Sequence, residues 1–341
     1  MAKFGTVSVG YKPRLNEWLG KLEGFLGLPF IAGKWYFVDP TSGSSGNSGL
    51  SPTEAFASIV TAYAACTSGA GDGICLISRG TGTSSQTTSY ITLANTIAWT
   101  KHGITVFGKC SGSFYNQRAR IANTGTDVIA PIQISGSNNL FQNVSFVNGH
   151  VGGGTTVSAA VKLLSGASRN AFVNCDFKNT QGTADAYKAD LWLSDAHENT
   201  FKDCNFGNAS FDSGDNASCH IYIDGTGGNA QNLFDHCTTI AQSSAGTACG
   251  VLKGGAVTAL NGTIIFRDCL FNVWRGSAGL LAMTSWYIGS NLTTGNIFVF
   301  CCGSNGYAAW DSAGANDNVV VCNLNGATAE IAAGGIGVIA S

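Results

Sequence analysis

The chain has 341 residues, 44% hydrophobic and only 11% charged, with a formal net charge of −2. That is enough apolar material for one large core or several stacked ones, while the near-neutral balance offers no general attraction to nucleic acid or to an anionic membrane. Forty-six glycines against five prolines, with no glycine period of three, exclude collagen and favour many turns between short strands.

Residues 1–34 form the first predicted unit, an anchor or oligomerisation segment. Within "YKPRLNEWLGKLEGFLGLPF" a helix would place Leu15, Trp18, Leu19, Leu22 and Phe25 on one face. That face needs a partner, whether the protein's own body, sister chains or a larger particle. No apolar run long enough for an export signal or a membrane span is present, so folding in a cytoplasm is expected. The twelve cysteines form no C-x-x-C pair. In that setting they read as buried thiols, with no metal and no cofactor expected.

Residues 35–70 read as a first strand, a Gly/Ser turn and a capping helix. Ser51 or Thr53 can cap the helix, and Phe56, Ile59 and Val60 are its apolar residues. It would cover the open end of whatever follows. "GDGICLISRGTG" (71–82) and "HGITVFGKCSG" (102–112) read as the first stacked strands.

From there an octamer recurs: "NLFQNVSF" (139–146), "NAFVNCDF" (170–177), "NTFKDCNF" (199–206), "NLFDHCTT" (232–239), "IIFRDCLF" (264–271) and "NIFVFCCG" (296–303), with a weaker copy from Asn318. Phe141, Phe172, Phe201, Phe234, Phe266 and Phe298 thus lie 31, 29, 33, 32 and 32 residues apart. A period near thirty means stacked supersecondary units. Phe at the third place and Cys at the sixth cannot both face inward on one flat strand. The chain must therefore bend at the fifth place, which holds Asn143, Asn174, Asp203, His236 and Asp268. Asn and Asp tolerate the left-handed conformation that such a corner needs. Each rung then stacks Cys175, Cys204, Cys237, Cys269 and Cys301 at one inward corner beside the phenylalanines.

A further alternating strand precedes several octamers: "IQIS" (132–135), "LWLS" (191–194) and "IYID" (221–224). Three short strands per period predict an all-β parallel β-helix over residues 71–325. The outward residues of the alternating strands, Gln133, Trp192 and Tyr222, are expected in one column with Leu163 and Leu252, as a glycan-binding stripe or a subunit interface. Residues 326–341, small and apolar, read as a C-terminal cap or tail.

The stretch "WYFVDPTSGSSGNSGLSPTEAFASI" resembles the opening segment of pectate-lyase-like right-handed β-helix proteins, a group found on bacterial surfaces and very often in tailed-phage virions. The resemblance covers roughly residues 35–325 and implies the fold, whereas function varies widely on this scaffold. It implies a virion-surface role in which the N-terminal part attaches and the β-helix projects. The catalytic motifs of polygalacturonases are missing, apart from an isolated His102-Gly103 pair. "LFDHC" at Asp235 and His236 resembles a pectate-lyase calcium stretch only faintly and is one copy of the octamer. Asp195 and Asp224, with Glu198 near, are the candidate acids if the protein is a glycosidase.

The sequence therefore reads first as a non-enzymatic phage virion protein. It would be a homotrimeric β-helix decorating or projecting from a capsid, with itself and other virion proteins as partners. The alternative is a tailspike that binds and cleaves host surface glycan.

Overall fold

A computed structural model describes residues 31–77, 91–109, 119–123, 129–149, 157–179, 188–207, 218–225, 228–242, 249–255, 259–273, 283–288, 294–305, 307–311 and 319–322. Among them, three parallel sheets of ten, eight and eight strands wind into a right-handed parallel β-helix. Each full rung visits the sheets in a fixed order. Ile132–Ile134 lies in sheet 2, Leu140–Gln142 in the ten-stranded sheet 1 and Ser145–Asn148 in sheet 3, before Val161–Leu163 returns to sheet 2. No helix among the described residues is long and apolar enough to cross a membrane.

The predicted corner lies between sheets 1 and 3. Asn143, Asn174, Asp203, His236 and Asp268 all adopt left-handed φ between 51° and 56°. Below the corner, Phe141, Phe172, Phe201, Phe234 and Phe266 stack face to face with centroids 4.6–5.0 Å apart. A second stack, Phe146, Phe177 and Phe206, meets the first edge-on. Each thiol of the ladder donates to the carbonyl of a phenylalanine in the preceding rung: Cys175 Sγ to Phe141 O at 3.4 Å, Cys204 to Phe172 O at 3.3 Å and Cys237 to Phe201 O at 3.3 Å. The thiols are therefore small packing groups with a weak donor, and burial pushes Cys204 well above the ordinary thiol range.

The sixth octamer is shifted by one residue from the expected alignment. Phe266 pairs with Val299, Ile265 with Phe298, and the left-handed corner falls on Cys301, at φ 51°. Phe298 therefore leaves the inner stack and lies against Phe300, 5.4 Å away. Cys301 is exposed, and Cys302 takes its place in the ladder, its sulfur accepting from Cys269 N at 3.3 Å. The volume that Val299 leaves unfilled is taken up by Trp286 from sheet 2, buried and edge-on to Phe266 at 5.1 Å.

The first-place asparagines form a second internal ladder. Asn139, Asn170, Asn199 and Asn232 are at most 1% exposed. Asn139 Nδ2 donates to Asn170 Oδ1 at 3.0 Å, Asn170 to Asn199 at 3.0 Å and Asn199 to Asn232 at 3.1 Å. The same oxygens accept backbone N–H groups from the rung before, at 3.0–3.1 Å. A buried amide has few other ways to satisfy both of its ends. At the fifth octamer Ile264 replaces the asparagine and the ladder ends.

The capping helix is shorter and later than expected. Ser51 caps a 3₁₀ turn, Pro52–Glu54, and the helix Ile59–Ala65 is capped by Ser58. Ile59 and Ala62 face the first rung, while Val60 points to solvent at 49% exposure. Lys101 from the next rung fixes the helix end, its Nζ donating to the carbonyls of Tyr63, Ala64 and Cys66 at 2.6–3.0 Å. A cation there also opposes the helix dipole. The N-terminal face of Leu15, Trp18, Leu19, Leu22 and Phe25, and the tail 326–341, lie outside the described residues.

Candidate functional site

Strand register decides which side chains leave the outer face of sheet 2. Lys162 pairs with Gln133 on one side and Trp192 on the other, and Tyr222 pairs with Lys253. The outward column is therefore Gln133, Lys162, Trp192, Tyr222 and Lys253. Leu163 and Leu252 pair with Leu193 and Ile221 and are fully buried, so neither belongs to an outer stripe. Counting thirty residues between strands misplaces them, because the loop before each strand varies in length. The better signal was local: a lysine between two apolar residues in "VKL" faces out.

This change alters the chemistry of the face from apolar to cationic and aromatic. Lys162 Nζ lies 3.2 Å from the Trp192 ring centroid, and Trp192 meets Tyr222 edge-on at 5.7 Å. Trp192 is only 8% exposed, with Val157, Ala159 and Ala189 packed around it. One ring face carries a cation and Tyr222 meets the indole edge-on, so Trp192 is not an open sugar-stacking platform, one of the two roles expected of this column beside a subunit interface. Burial holds the ammonium groups of Lys162 and Lys253 below the usual lysine range.

The candidate acids fall around the neighbouring corner, between sheets 2 and 1. Asp224 ends its strand in register with Ser194, so Asp195 lies one residue beyond the equivalent position. Asp195, at φ 55°, accepts from Gly228 N at 2.9 Å, and its carboxylate rests on Gly225, where any Cβ would come within 2.3 Å. Only glycine fits there. Glu198 is engaged by Arg169 at 2.6 Å, and Asp224 turns one oxygen, without a hydrogen-bond partner, into the protein. Each acid has a structural position: Asp195 closes a turn, Glu198 bridges rungs, and Asp224 is half enclosed.

Asp235 and His236 sit at the corner between sheets 1 and 3. They and Asp268 bring one potential ligand atom each within 4.8 Å of one another. The Arg267 Nε, however, donates to Asp235 Oδ1 at 2.8 Å and holds that carboxyl below its ordinary range. A guanidinium already stands where a cation would bind.

One pair escaped the sequence reading. At the third corner, His220 Nδ1 and Asp190 Oδ2 lie 2.6 Å apart, and Asn179 N donates to the other oxygen of Asp190 at 2.9 Å. His220 is 1% exposed, and its Nε2 has no hydrogen-bond partner. Gly207 leaves room for the ring, since a Cβ there would lie 2.6 Å from His220 Cε1. The available signal was the interval of thirty residues, one rung, between an acid and a histidine.

No protein-family model matches the sequence, and no curated protein matches it. Solved structures do share its shape. Pectin methylesterase PemA from Erwinia chrysanthemi is similar with a TM-score of 0.59 at 16% identity, over 89% of this chain and 92% of that one. A pectin methylesterase in complex with a hexasaccharide gives 0.58 at 14% identity, over the same shares. A rhamnogalacturonan lyase gives 0.51 at 15% identity, over 85% of this chain and 69% of that one. At these identities the likeness is one of fold.

Proposed function

We propose that this protein is a non-enzymatic β-helix of a phage virion, a homotrimer that projects from or decorates the particle and is attached through its N-terminal segment. The observation that carries the non-enzymatic part is the state of the carboxylates. Asp195 gives one oxygen to the Gly228 turn, Glu198 is paired with Arg169 and Asp224 turns one oxygen into the protein, an arrangement that supports structural roles for all three. The particle role draws its support from the resemblance of residues 35–59 to pectate-lyase-like β-helix proteins, a group very often found in tailed-phage virions, and from the amphipathic pattern of the N-terminal segment.

A second reading is favoured by the solved structures of this fold, which are named as pectin methylesterases and a rhamnogalacturonan lyase. In that reading the chain is a tailspike that binds and cleaves host surface polysaccharide. One experiment separates the two. Purified protein and its Asp195→Asn/Asp224→Asn variant are incubated with host surface polysaccharide, and chain length and ester content are followed by size-exclusion chromatography and NMR. The proposal expects no change with either protein. Shortening or de-esterification by the wild type that the double variant loses would establish the tailspike reading.

A further inference from the structure

Beside Asp195 the corner between sheets 2 and 1 opens into a cavity of about 430 Å³, within the size range of small-ligand sites. Its walls come from four successive rungs: Ser165, then Asp195 and His197, then Gly228 and Gln231, then Asn261. At the ~4.8 Å spacing of parallel strands this gives a groove roughly 14 Å long running with the helix axis. It is separate from the lysine and aromatic column, which lies on the outer face of sheet 2.

The polar groups in this groove have hydrogen-bonding capacity that the protein does not use. Asp195 commits one carboxylate oxygen to Gly228 N. No side-chain hydrogen bond is made by Ser165, His197, Gln231 or Asn261 among the described residues. The same corner one or two rungs earlier is closed upon itself. There Ser137 Oγ donates to Gly166 O at 2.8 Å, Ser168 Oγ to Ser137 Oγ at 3.2 Å, and His102 Nδ1 accepts from Ser137 N at 2.9 Å. The groove therefore begins where the internal network stops. It offers an acceptor-only carboxylate, an imidazole, two amides and a hydroxyl, all at one corner and at rung intervals.

We infer that this groove binds a neutral, hydroxyl-rich oligosaccharide along the β-helix axis. Alternating donors and acceptors over about three rung spacings suit a chain of hydroxyl groups. Among the described residues no lysine or arginine lines the groove, and Asp195 would repel a uronate, so an anionic glycan is disfavoured. No aromatic ring among the described residues lines it either, so affinity per chain is low, and several copies on one assembly would supply avidity. This inference does not depend on the virion assignment, and it requires no bond cleavage.

The test uses the full-length protein and saturation-transfer NMR. The probes are neutral trisaccharides of glucose, galactose, mannose and N-acetylglucosamine, with trigalacturonate as the anionic comparison. At least one neutral trisaccharide should bind. His197→Ala/Asn261→Ala should weaken it tenfold or more with an unchanged melting temperature. Asn261→Trp, at an exposed position, should fill the groove and act alike if the double variant folds poorly. Binding of no neutral probe, or binding that survives both variants, overturns the inference. Binding of trigalacturonate alone also overturns it, and points to the Lys162 and Lys253 face instead.

Discussion

Replacing Asn199 by leucine tests whether the buried amide ladder, more than the phenylalanine stack alone, sets the stability of the rungs. Leucine keeps the size and removes the polarity. Asn199 Oδ1 now accepts from Asn170 N at 3.1 Å and from Asn170 Nδ2 at 3.0 Å, and its own Nδ2 donates to Ala167 O, His197 O and Asn232 Oδ1 at 3.0–3.1 Å. The substitution leaves the Asn170 backbone N–H buried and unpaired and takes one of two partners from Asn170 Nδ2, which still donates to Gly136 O at 3.1 Å. Asn232 Oδ1 keeps the Asn199 backbone N–H, and Ala167 O keeps His197 N at 3.3 Å, so the acceptor side is partly spared. At about 1–3 kcal/mol for the buried N–H left unsatisfied and about 0.5–1.5 kcal/mol for the amide bond lost, the loss is about 1.5–4.5 kcal/mol. Asn174→Gly is the contrast: it gives up outer contacts that include Asn174 Nδ2 to Asn143 Oδ1 at 2.8 Å, at a half-buried corner with φ 51° that glycine accepts. Its cost should stay below about 1 kcal/mol. Urea unfolding followed by tryptophan fluorescence measures both, and hydrogen exchange shows whether the loosening centres on the rungs that contain Asn170 and Asn199. An Asn199→Leu protein within about 1 kcal/mol of wild type at unchanged denaturant slope would refute the ladder's role.

Two further outcomes follow from the thiols. Val144 occupies in its rung the slot that Cys175 occupies in the next, so Cys175→Val should change stability by less than about 1.5 kcal/mol, while Cys175→Asp should prevent folding; urea midpoints and soluble yield decide. Burial pushes the Cys66 and Cys75 thiols up to about 12, well above the ordinary thiol range, so the folded state keeps protons that the unfolded chain releases. That contribution to stability is complete below the unfolded thiol pKa and is lost as pH rises through about 9 to 12, so the urea midpoint should fall over that window, and less steeply in Cys66→Ala.

The β-helix was legible because every rung presents the same interior. A phenylalanine, a left-handed corner and a small group beyond it must recur wherever the chain turns from sheet 1 to sheet 3, so identity repeats at the rung period. The sixth copy misled because "NIFVFCCG" contains both marker residues one place early. Backbone pairing decides the matter, and it carries an irregularity between Ala259 and Thr263 just before this rung. Trp286, arriving from another strand, then removes the need for a phenylalanine at 299. The opening helix was displaced for a local reason: Pro52 fits the first turn of any helix, and here it starts a 3₁₀ turn that ends before Ser58 begins the α-helix.

The outer surface obeys a different rule, and that is why its residues were harder to find. An outward side chain meets a loop of different length in each rung, so nothing selects the same residue type twice. What one rung does select in the next is a complement. Asp190 and His220 are thirty residues apart, Lys162 and Trp192 thirty, Arg169 and Glu198 twenty-nine, and Asp235 and Arg267 thirty-two. Each joins neighbouring strands or corners through a hydrogen bond, an ion pair or a cation on a ring. A search for identical residues at the rung period finds the core, and a search for complementary residues at the same period finds these outer pairs. The groove beside Asp195 falls to neither search. Its polar residues, at intervals of two to thirty-four, are neither alike nor mutually paired, which leaves their hydrogen-bonding groups lining an open cavity.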